Sequence, residues 1–349
     1  MAEKKRLLAT VLTFALLFAG AAIEPSPSAS QPELRRFEFV QAHMGTQFRI
    51  VLYARDAETA ARASAAAFER IARLDATMSD YRETSELMVA CKQAAHNWVH
   101  TSRDLFGVLA RSQQIARQSA GAFDVTVGPV VRLWRRARRM NELPDAKKLA
   151  AARRLVGYRR LRLDARRHRV RLEKAGMLID LGGIAKGYAA DAALAVLKDY
   201  GIRSALVAAG GDIVTGDAPP GSAGWTVAVR GLNSADEAKM IHLRLANAAV
   251  STSGDAEQFV EINGVRYSHI VDPRTGRALT GRRSVTVVAP RGWAADALAT
   301  AASVLDAARA QRLIDRTRGA AAHIEQMRGD RLAVSESRRW RSVPQVSPK

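Results

Sequence analysis

The chain has 349 residues, enough for one large domain or two closely packed ones with a sizeable core. Apolar residues make up 48% and charged residues 25%, as in ordinary soluble globular proteins. The single cysteine, Cys91, excludes an internal disulfide and a cysteine-based zinc cluster. The formal net charge of +20 points to a nucleic-acid or anionic-membrane partner, unless other features of the chain argue against it.

The N-terminal residues have the pattern of an export signal. Basic residues at Lys4–Arg6 precede an apolar stretch from Leu7 to Phe18, and small residues follow at Ala19–Ala21. The apolar stretch is short for a membrane span, and an uncleaved signal that anchors the chain is the alternative. No cysteine follows it, which argues against a lipid-modified N-terminus. We predict a periplasmic protein with a signal peptide over 1–22, a linker over 23–33 and one domain over 34–340.

The first half of the predicted domain is mainly helical. Short strands at Phe37–Val40 and Phe48–Tyr53 flank a turn at Gly45. Alanine-rich helices are then expected over Ala57–Leu74 and Ser102–Ser119. The most basic part of the chain, Arg132–Arg171, contains few acids and is predicted to be an exposed connection with short strands near Leu161 and Val170.

A different pattern begins at Met177. An apolar run, Met177–Asp180, is followed by Gly182 and Gly183, a helix over Ala185–Tyr200 and a buried strand at Ala205–Ala208. This order of strand, glycine turn, helix and strand is typical of a βαβ-like unit.

The remaining chain is rich in strands, which are followed by one more helix. Strands are expected at Trp225–Val229, Ile241–Leu245, Gln258–Ile262, Tyr267–Val271 and Ser284–Val288, and a helix at Ala294–Asp306. The whole pattern predicts an α/β (α+β) fold with mixed β-sheets and interspersed helices.

The segment Asp180-Leu-Gly-Gly-Ile-Ala-Lys-Gly187 contains the strongest local motif. Glycine lets a ligand approach the backbone, and the N-terminus of the following helix attracts anions. Lys186 stands in the first helical turn, where it can reach a phosphate. The spacing matches neither the dinucleotide-binding loop nor the P-loop, so tight packing of the glycines remains an alternative.

Two further segments contain candidate catalytic groups. Asp296 and Thr300 stand four residues apart on one helix face, and their hard oxygens suit Mg²⁺, although a helix-start cap is the simpler interpretation. His269 lies near the end of a strand, where it can act as a general base or serve only a structural role. Ser251–Asp255 lacks the nucleophile-elbow pattern and is predicted to be a loop.

The order of these segments resembles the ApbE family of FAD:protein FMN transferases. The resemblance covers roughly residues 37 to 310 in eight blocks. The blocks are Met44–Thr46, Met78–Tyr81 with Ser85–Glu86, Gly121–Pro129 with Leu133–Trp134, Asp180–Asp191, Ala209–Asp212, Ser251–Asp255, His269–Gly276 and Asp296–Thr300.

The resemblance implies transfer of FMN from FAD to a Thr or Ser hydroxyl of an acceptor flavoprotein, with AMP released. It implies FAD as substrate and Mg²⁺ as cofactor, and it implies His269 as the base. The implied metal ligands are Asp296, Thr300 and the backbone of Gly183. The implied flavin contacts are Met44, Tyr81, Ala122, Phe123, Asp124, Asp180, Lys186 and Ile270.

Some positions depart from the family pattern, and other functions stay open. Ala208, Ser268 and Ala256 stand where relatives usually have Asn, His and an aromatic residue. The alternatives are an FAD-binding or storage protein and an FAD hydrolase giving FMN and AMP. The resemblance implies acceptor subunits of exported or membrane redox complexes, such as Na⁺-translocating NADH:quinone reductase or Rnf-type complexes. Nucleic acid is not an expected partner, since the signal directs export. Contact with an anionic membrane surface is an alternative role for the basic segment.

Overall fold

The computed structural model describes residues 33–95, 97–232, 240–254 and 259–347. Leu34–Lys349 form one compact unit. The predicted signal peptide over 1–22 and nearly all of the linker over 23–33 lie outside the described residues. Within the described ranges, no helix combines the length and apolar character needed to cross a bilayer.

Five of the eight helices in the described ranges follow a residue whose side chain binds an exposed backbone N–H group of the first turn. The eight helices are α1 (Ala57–Met78), α2 (Glu86–Gln93), α3 (Arg103–Gln118), α4 (Gly128–Met140), α5 (Ala146–Arg153), α6 (Ala185–Asp199), α7 (Gly292–Val304) and α8 (Ala307–Arg316). For α1, the Asp56 carboxylate accepts a hydrogen bond of 2.7 Å from the backbone N–H of Thr59. For α3, Ser102 does the same for Leu105 at 3.2 Å. The predicted helices over Ala57–Leu74 and Ser102–Ser119 are therefore confirmed.

The strands form one large sheet and three small ones. They are β1 (Arg35–His43), β2 (Thr46–Ala54), β3 (Val99–His100), β4 (Leu161–Asp164), β5 (Arg169–Leu172), β6 (Ala205–Ala209), β7 (Asp212–Thr215), β8 (Trp225–Val229), β9 (Ile241–Leu245), β10 (Ala249–Gly254), β11 (Phe259–Ile262), β12 (Val265–Asp272), β13 (Arg277–Thr280), β14 (Arg283–Ala289), β15 (Ala321–Arg328) and β16 (Arg331–Glu336). The large sheet has the order β1-β2-β6-β7-β10-β14-β15-β16, and every neighbouring pair is antiparallel. The predicted mixture of sheets and helices is confirmed.

The two faces of the large sheet are covered differently. Because side chains alternate along a strand, β2 directs Ile50 and Leu52 into the main core, whereas Val51 packs into a second cluster with Trp225 and Leu243. Helices α1, α6 and α7 cover the first face, and the β8–β9 pair covers the second. The helical layer contains Lys186 on α6 and Asp296 and Thr300 on α7.

The predicted βαβ-like unit is wrong in its first strand. Met177–Asp180 forms no strand, and only Leu178 makes a single parallel bridge, to Val127. Met177 and Ile179 are almost fully buried, so the alternating apolar pattern is real. Packing beside the loop that precedes α4, rather than pairing in a sheet, accounts for this burial. The predicted helix and the following strand are confirmed as α6 and β6.

The basic segment Arg132–Arg171 is not an exposed connection along its whole length. It contains most of α4, the whole of α5, and the expected short strands as β4 and β5. On α4, Val130, Trp134 and Ala137 are buried on one face at helical spacing, between arginines that lie largely on the other faces. Counting charges without their periodicity therefore gives the wrong structure for α4.

The described part of Ser251–Asp255 is likewise not a loop. The last predicted helix, Ala294–Asp306, is also not the last element of the fold. Ser251 lies in β10, which pairs with β7 and β14, while Asp255 lies outside the described residues. Polar residues are tolerated there because the buried Ser251 hydroxyl has a hydrogen-bond partner. Beyond α7, α8 and the hairpin β15–β16 extend the structure and the large sheet.

The hairpin β15–β16 contains a pH-dependent contact. His323 Nδ1 lies 3.0 Å from Glu336 Oε1, and its Nε2 lies 3.3 Å from Glu325 Oε1. Burial opposes the imidazolium, but the hydrogen bonds to Glu325 and Glu336 outweigh burial and raise the pKa of His323 above its usual 6.5. The raised pKa means that this contact stabilises the fold fully below pH 6.5 and loses its effect as pH rises through the folded-state value.

We expect His323→Gln to destabilise the fold more at pH 5.5 than at pH 9. The difference should be about 1 kcal/mol, the size of a typical charge-assisted hydrogen bond in a mostly buried position. Urea unfolding at both pH values measures it. A loss of stability that is equal at the two pH values would show that the imidazolium does not stabilise the hairpin.

Candidate functional site

Helices α6 and α7 meet so closely that their backbones touch. A β-carbon placed on Gly187 would lie 2.2 Å from the carbonyl oxygen of Gly292, so only glycine permits this approach. The Asp191 carboxylate accepts hydrogen bonds from the N–H groups of Gly292, at 2.9 Å, and Trp293, at 3.1 Å. A side chain on α6 thus caps the N-terminus of α7 and fixes one helix against the other.

This crossing places the predicted metal ligands together. Asp296 is buried on α7, and its Oδ2 accepts a hydrogen bond of 3.2 Å from the Gly187 N–H. One turn further along, the Thr300 hydroxyl faces the backbone of Gly183, where an added β-carbon would lie 2.8 Å from Oγ1. A buried carboxylate, a hydroxyl and a peptide carbonyl are hard oxygen donors of the kind that Mg²⁺ prefers.

Lys186 lies beside this group and is held by a second carboxylate. Its Nζ donates a short hydrogen bond to Asp212 Oδ2 and lies 3.7 Å from Asp296 Oδ2. The Ser251 hydroxyl donates to the other Asp212 oxygen at 2.5 Å. Asp212 and Ser251 come from neighbouring strands β7 and β10, so the sheet anchors the lysine of the helical layer.

The charges of these groups depend on one another. Burial, and then repulsion from Asp212, raises the pKa of Asp296 to about 7 despite the nearby lysine. For Lys186, burial works against the charge, but Asp212 and Asp296 together outweigh it and raise the pKa. The site therefore keeps a cationic lysine between two carboxylates, one of which is held close to its protonation point at neutral pH.

The predicted flavin contacts Ala122, Phe123 and Asp124 form a buried loop against the same site. Phe123 Cε2 would lie 3.3 Å from a β-carbon on Gly183. Both Asp124 oxygens accept hydrogen bonds from the chain itself, from Thr126 N at 2.8 Å and Tyr158 N at 2.6 Å. Asp124 therefore stabilises the loop that places Phe123.

The predicted contacts Tyr81 and Asp180 meet at Arg135 on α4. Arg135 pairs with Asp180 at 2.7 Å and, by a shorter contact, with Asp80. Its guanidinium lies 4.4 Å from the centre of the Tyr81 ring, which is 75% exposed. Burial, followed by repulsion from Asp180, raises the pKa of Asp80. Arg135 therefore holds two repelling carboxylates and one aromatic ring in place.

We expect Arg135→Met to destabilise the fold by about 3 kcal/mol, because it leaves two mostly buried carboxylates without their cation. It should also weaken FAD binding, since Tyr81 and Asp180 lose their common support. Urea unfolding and flavin fluorescence titration measure the two effects. Arg136→Met, at an exposed position on the same helix, is the matched control. Equal behaviour of the two variants would contradict this role of Arg135.

The other predicted residues lie on different elements. Met44 is in the tight turn between β1 and β2 with φ +48°, close in sequence to Thr46, which approaches Gly210. His269 and Ile270 are on β12, in the stretch where pairing with β13 shifts register. Ile270 is buried in the main core and His269 is half-buried, and β12 contacts α7.

The structure thus brings Gly183, Asp296, Thr300, Lys186 and Phe123 into one group, with Asp180 next to it in sequence. Asp212, Ser251, Asp80 and Arg135 are further members of this neighbourhood that the residue predictions omit. Asp212 and Ser251 both lie in segments of the family resemblance, which is the signal that points to them.

Comparison with known proteins identifies the family of the chain. A sequence model described as the ApbE family matches residues 44–324. The FAD:protein FMN transferase of Treponema pallidum (strain Nichols) is 34% identical, over 78% of this chain and 79% of the relative. The enzyme of the same name from Escherichia coli (strain K12) is 28% identical, over 95% of both chains.

Solved structures give the same result. The flavinyl transferase ApbE of Pseudomonas stutzeri, in its apo form, has a TM-score of 0.79 and 26% identity, covering 89% of this chain and 97% of the other. The ApbE protein of Thermotoga maritima also has a TM-score of 0.79, with 29% identity, over 90% of this chain and 100% of the other. The chain belongs to the ApbE family.

Proposed function

We propose that this chain transfers FMN from FAD to a serine or threonine hydroxyl of an acceptor flavoprotein. The observation that carries the proposal is the convergence of Asp296, Thr300, Gly183 and Lys186 at the crossing of α6 and α7. Relatives named FAD:protein FMN transferase match most of the chain. In the proposed reaction the acceptor oxygen bonds to the FMN phosphorus, the diphosphate bond breaks, and AMP leaves with the bridging oxygen.

The residues present fit a Mg²⁺ site. The Asp296 side chain is 3% exposed, and a buried carboxylate is stable only when cations or hydrogen-bond donors surround it. The oxygens of Asp296 and Thr300, with the backbone of Gly183, would hold the metal. When bound, Mg²⁺ would neutralise charge on the diphosphate and stabilise the leaving phosphate.

Lys186 supplies a second positive charge at the same place. Asp212, which itself accepts a hydrogen bond from Ser251, holds the lysine ammonium group at the central strands of the large sheet, and the Lys186 side chain remains 29% exposed, open to a ligand. It is suited to bind a phosphate oxygen of FAD and to orient the diphosphate. Phosphoryl transfer depends mainly on such positioning and charge neutralisation.

His269 would act as the general base. It would accept the proton from the acceptor hydroxyl as the new oxygen–phosphorus bond forms. Its position on β12, a strand that contacts α7, puts it on an element next to the helix of Asp296 and Thr300. The base and the phosphate-binding groups therefore come from different layers of the fold.

One incubation tests the function. The protein is mixed with FAD, Mg²⁺ and a candidate acceptor subunit of a membrane redox complex, and the intact mass of the acceptor is measured. We expect a gain of one FMN moiety and release of AMP. Free FMN and AMP with an unmodified acceptor would assign the protein as an FAD hydrolase. Bound, unchanged FAD would assign it as a storage protein.

We also propose that the protein acts in the periplasm, because the pattern over residues 1–22 is that of an export signal. Cell fractionation with an antibody against the full chain tests this. Recovery in the cytoplasmic fraction would contradict it. Attachment to membranes would indicate an uncleaved anchor or contact of the basic surface with anionic lipid.

A further inference from the structure

A cleft of about 530 Å³ lies between the C-terminal end of α3, the loop after β12 and helix α8. Five arginines line it: Arg117, Arg274, Arg309, Arg312 and Arg316. We call it the arginine cleft. Three of these arginines follow at spacings of three and four residues, which places them on one face of α8.

The positive charge of the arginine cleft is only partly balanced. Arg274 pairs with Asp272 at 2.9 Å and Arg309 pairs with Asp306 at 3.3 Å. Arg117, Arg312 and Arg316 make no ion pair with any carboxylate in the described part of the chain. Like charges that converge in a concave surface repel one another, and they attract an anionic ligand strongly. The arginine cleft is therefore suited to bind an anion.

The arginine cleft adjoins the proposed transfer site through three short connections. Leu305 in its wall follows Thr300 by five residues, about 7.5 Å along a helix. Arg274 follows Ile270 by four residues, and Ala120 precedes Phe123 by three. Three of the segments that place predicted site residues therefore continue into a wall of the cleft.

The position of the cleft favours one ligand over the others. In the proposed reaction, the FAD diphosphate is bound by Lys186 and the oxygens of Asp296. Asp296 precedes Leu305 by nine residues, about 13 Å along the direction of α7. Among the described residues that line the cleft, none is aromatic, so the stacking platforms of single-stranded nucleic-acid sites are missing there. With FAD and nucleic acid set aside, the ligand that remains for the arginine cleft is the acceptor protein.

We propose that the arginine cleft binds a carboxylate-bearing segment of the acceptor protein, close to the hydroxyl that receives FMN. The proposal rests on the transferase function proposed above. Complementary charge would raise the rate of encounter with the acceptor and fix its orientation, while the chemistry stays with the separate groups on α6, α7 and β12.

The test compares two fluorescein-labelled peptides that share one threonine and differ only in flanking aspartates or asparagines. Their binding to the full chain is measured by fluorescence anisotropy, at low and at high salt. We expect the aspartate peptide to bind about tenfold more tightly at low salt. The double variant R312S/R316S should lose that preference. The control R328S/R331S removes the same charge from the exposed β15–β16 turn and should keep the preference.

Three results would overturn the proposal. The first is equal binding of the two peptides. The second is an equal loss of preference in both double variants, which would reflect net charge alone. The third is a weaker affinity for FAD in R312S/R316S, which would assign the cleft to the nucleotide. Peptide binding needs no transfer, so a chain that prefers the aspartate peptide and modifies no acceptor would contradict only the transferase function.

Discussion

Asp296→Asn is expected to lower the rate of FMN transfer about a thousand-fold, or ~4 kcal/mol in the barrier. The amide has the volume of the carboxylate but no charge, so it loses the attraction to Lys186 and to the proposed Mg²⁺. The rate is followed by the intact mass of the acceptor over a Mg²⁺ titration. Calorimetry of Mg²⁺ binding separates loss of the metal from loss of the chemistry.

The control for this variant is Asp56→Asn. Asp56 begins α1, far along the chain from α7, and asparagine is an equally good cap for a helix start. The control should retain full activity and stability. If Asp296→Asn kept its Mg²⁺-dependent rate, the metal site would have to be built from other residues.

His269→Ala is expected to lower transfer between about a hundredfold and ten-thousandfold, the range typical of a lost general base. FAD affinity should change little, because the proposed phosphate-binding groups lie on α6 and α7 and not on β12. Flavin fluorescence titration measures the affinity, and intact mass measures the transfer.

His100→Ala serves as the matched histidine control, since His100 is exposed on β3, in a different small sheet. It should leave both measurements unchanged. A His269→Ala enzyme that retained a tenth or more of the wild-type rate would show that another group takes the proton.

Much of the fold follows from periodicity in the sequence. The strand Trp225–Val229 agrees with its prediction residue for residue, and α3 lies one residue inside the predicted Ser102–Ser119 at each end, because caps and alternation are local signals. The strand predicted at Met177–Asp180 is wrong because burial beside a loop and burial in a sheet give the same apolar pattern in the sequence. The loop predicted at Ser251–Asp255 is wrong because the polar Ser251 is accommodated in a buried strand by its hydrogen bond to Asp212. Asp212 is 39 residues away, so a local pattern does not reveal it.

The residues of the site likewise divide into those that the sequence predicts and those that it does not. Asp296 and Thr300 share a helix face in sequence, and their neighbourhood is confirmed as a spatial group. Their function as metal ligands stays a prediction, as does that of His269 as the base. The sequence does not single out Arg135, because several other arginines lie near it in α4. Only the folded structure shows that this arginine pairs with Asp80 and Asp180.

The contact between Gly187 and Gly292 has a consequence for the order in which the protein matures. The two halves of the site are 109 residues apart at the Gly187–Asp296 hydrogen bond, so a long loop must close before the groups of α6 and α7 meet. Contacts of such long range generally form late in folding. A chain that stops before α7 would have Lys186 and Asp212 but neither Asp296 nor Thr300. We therefore expect FAD binding through both helices only once α7 has been made.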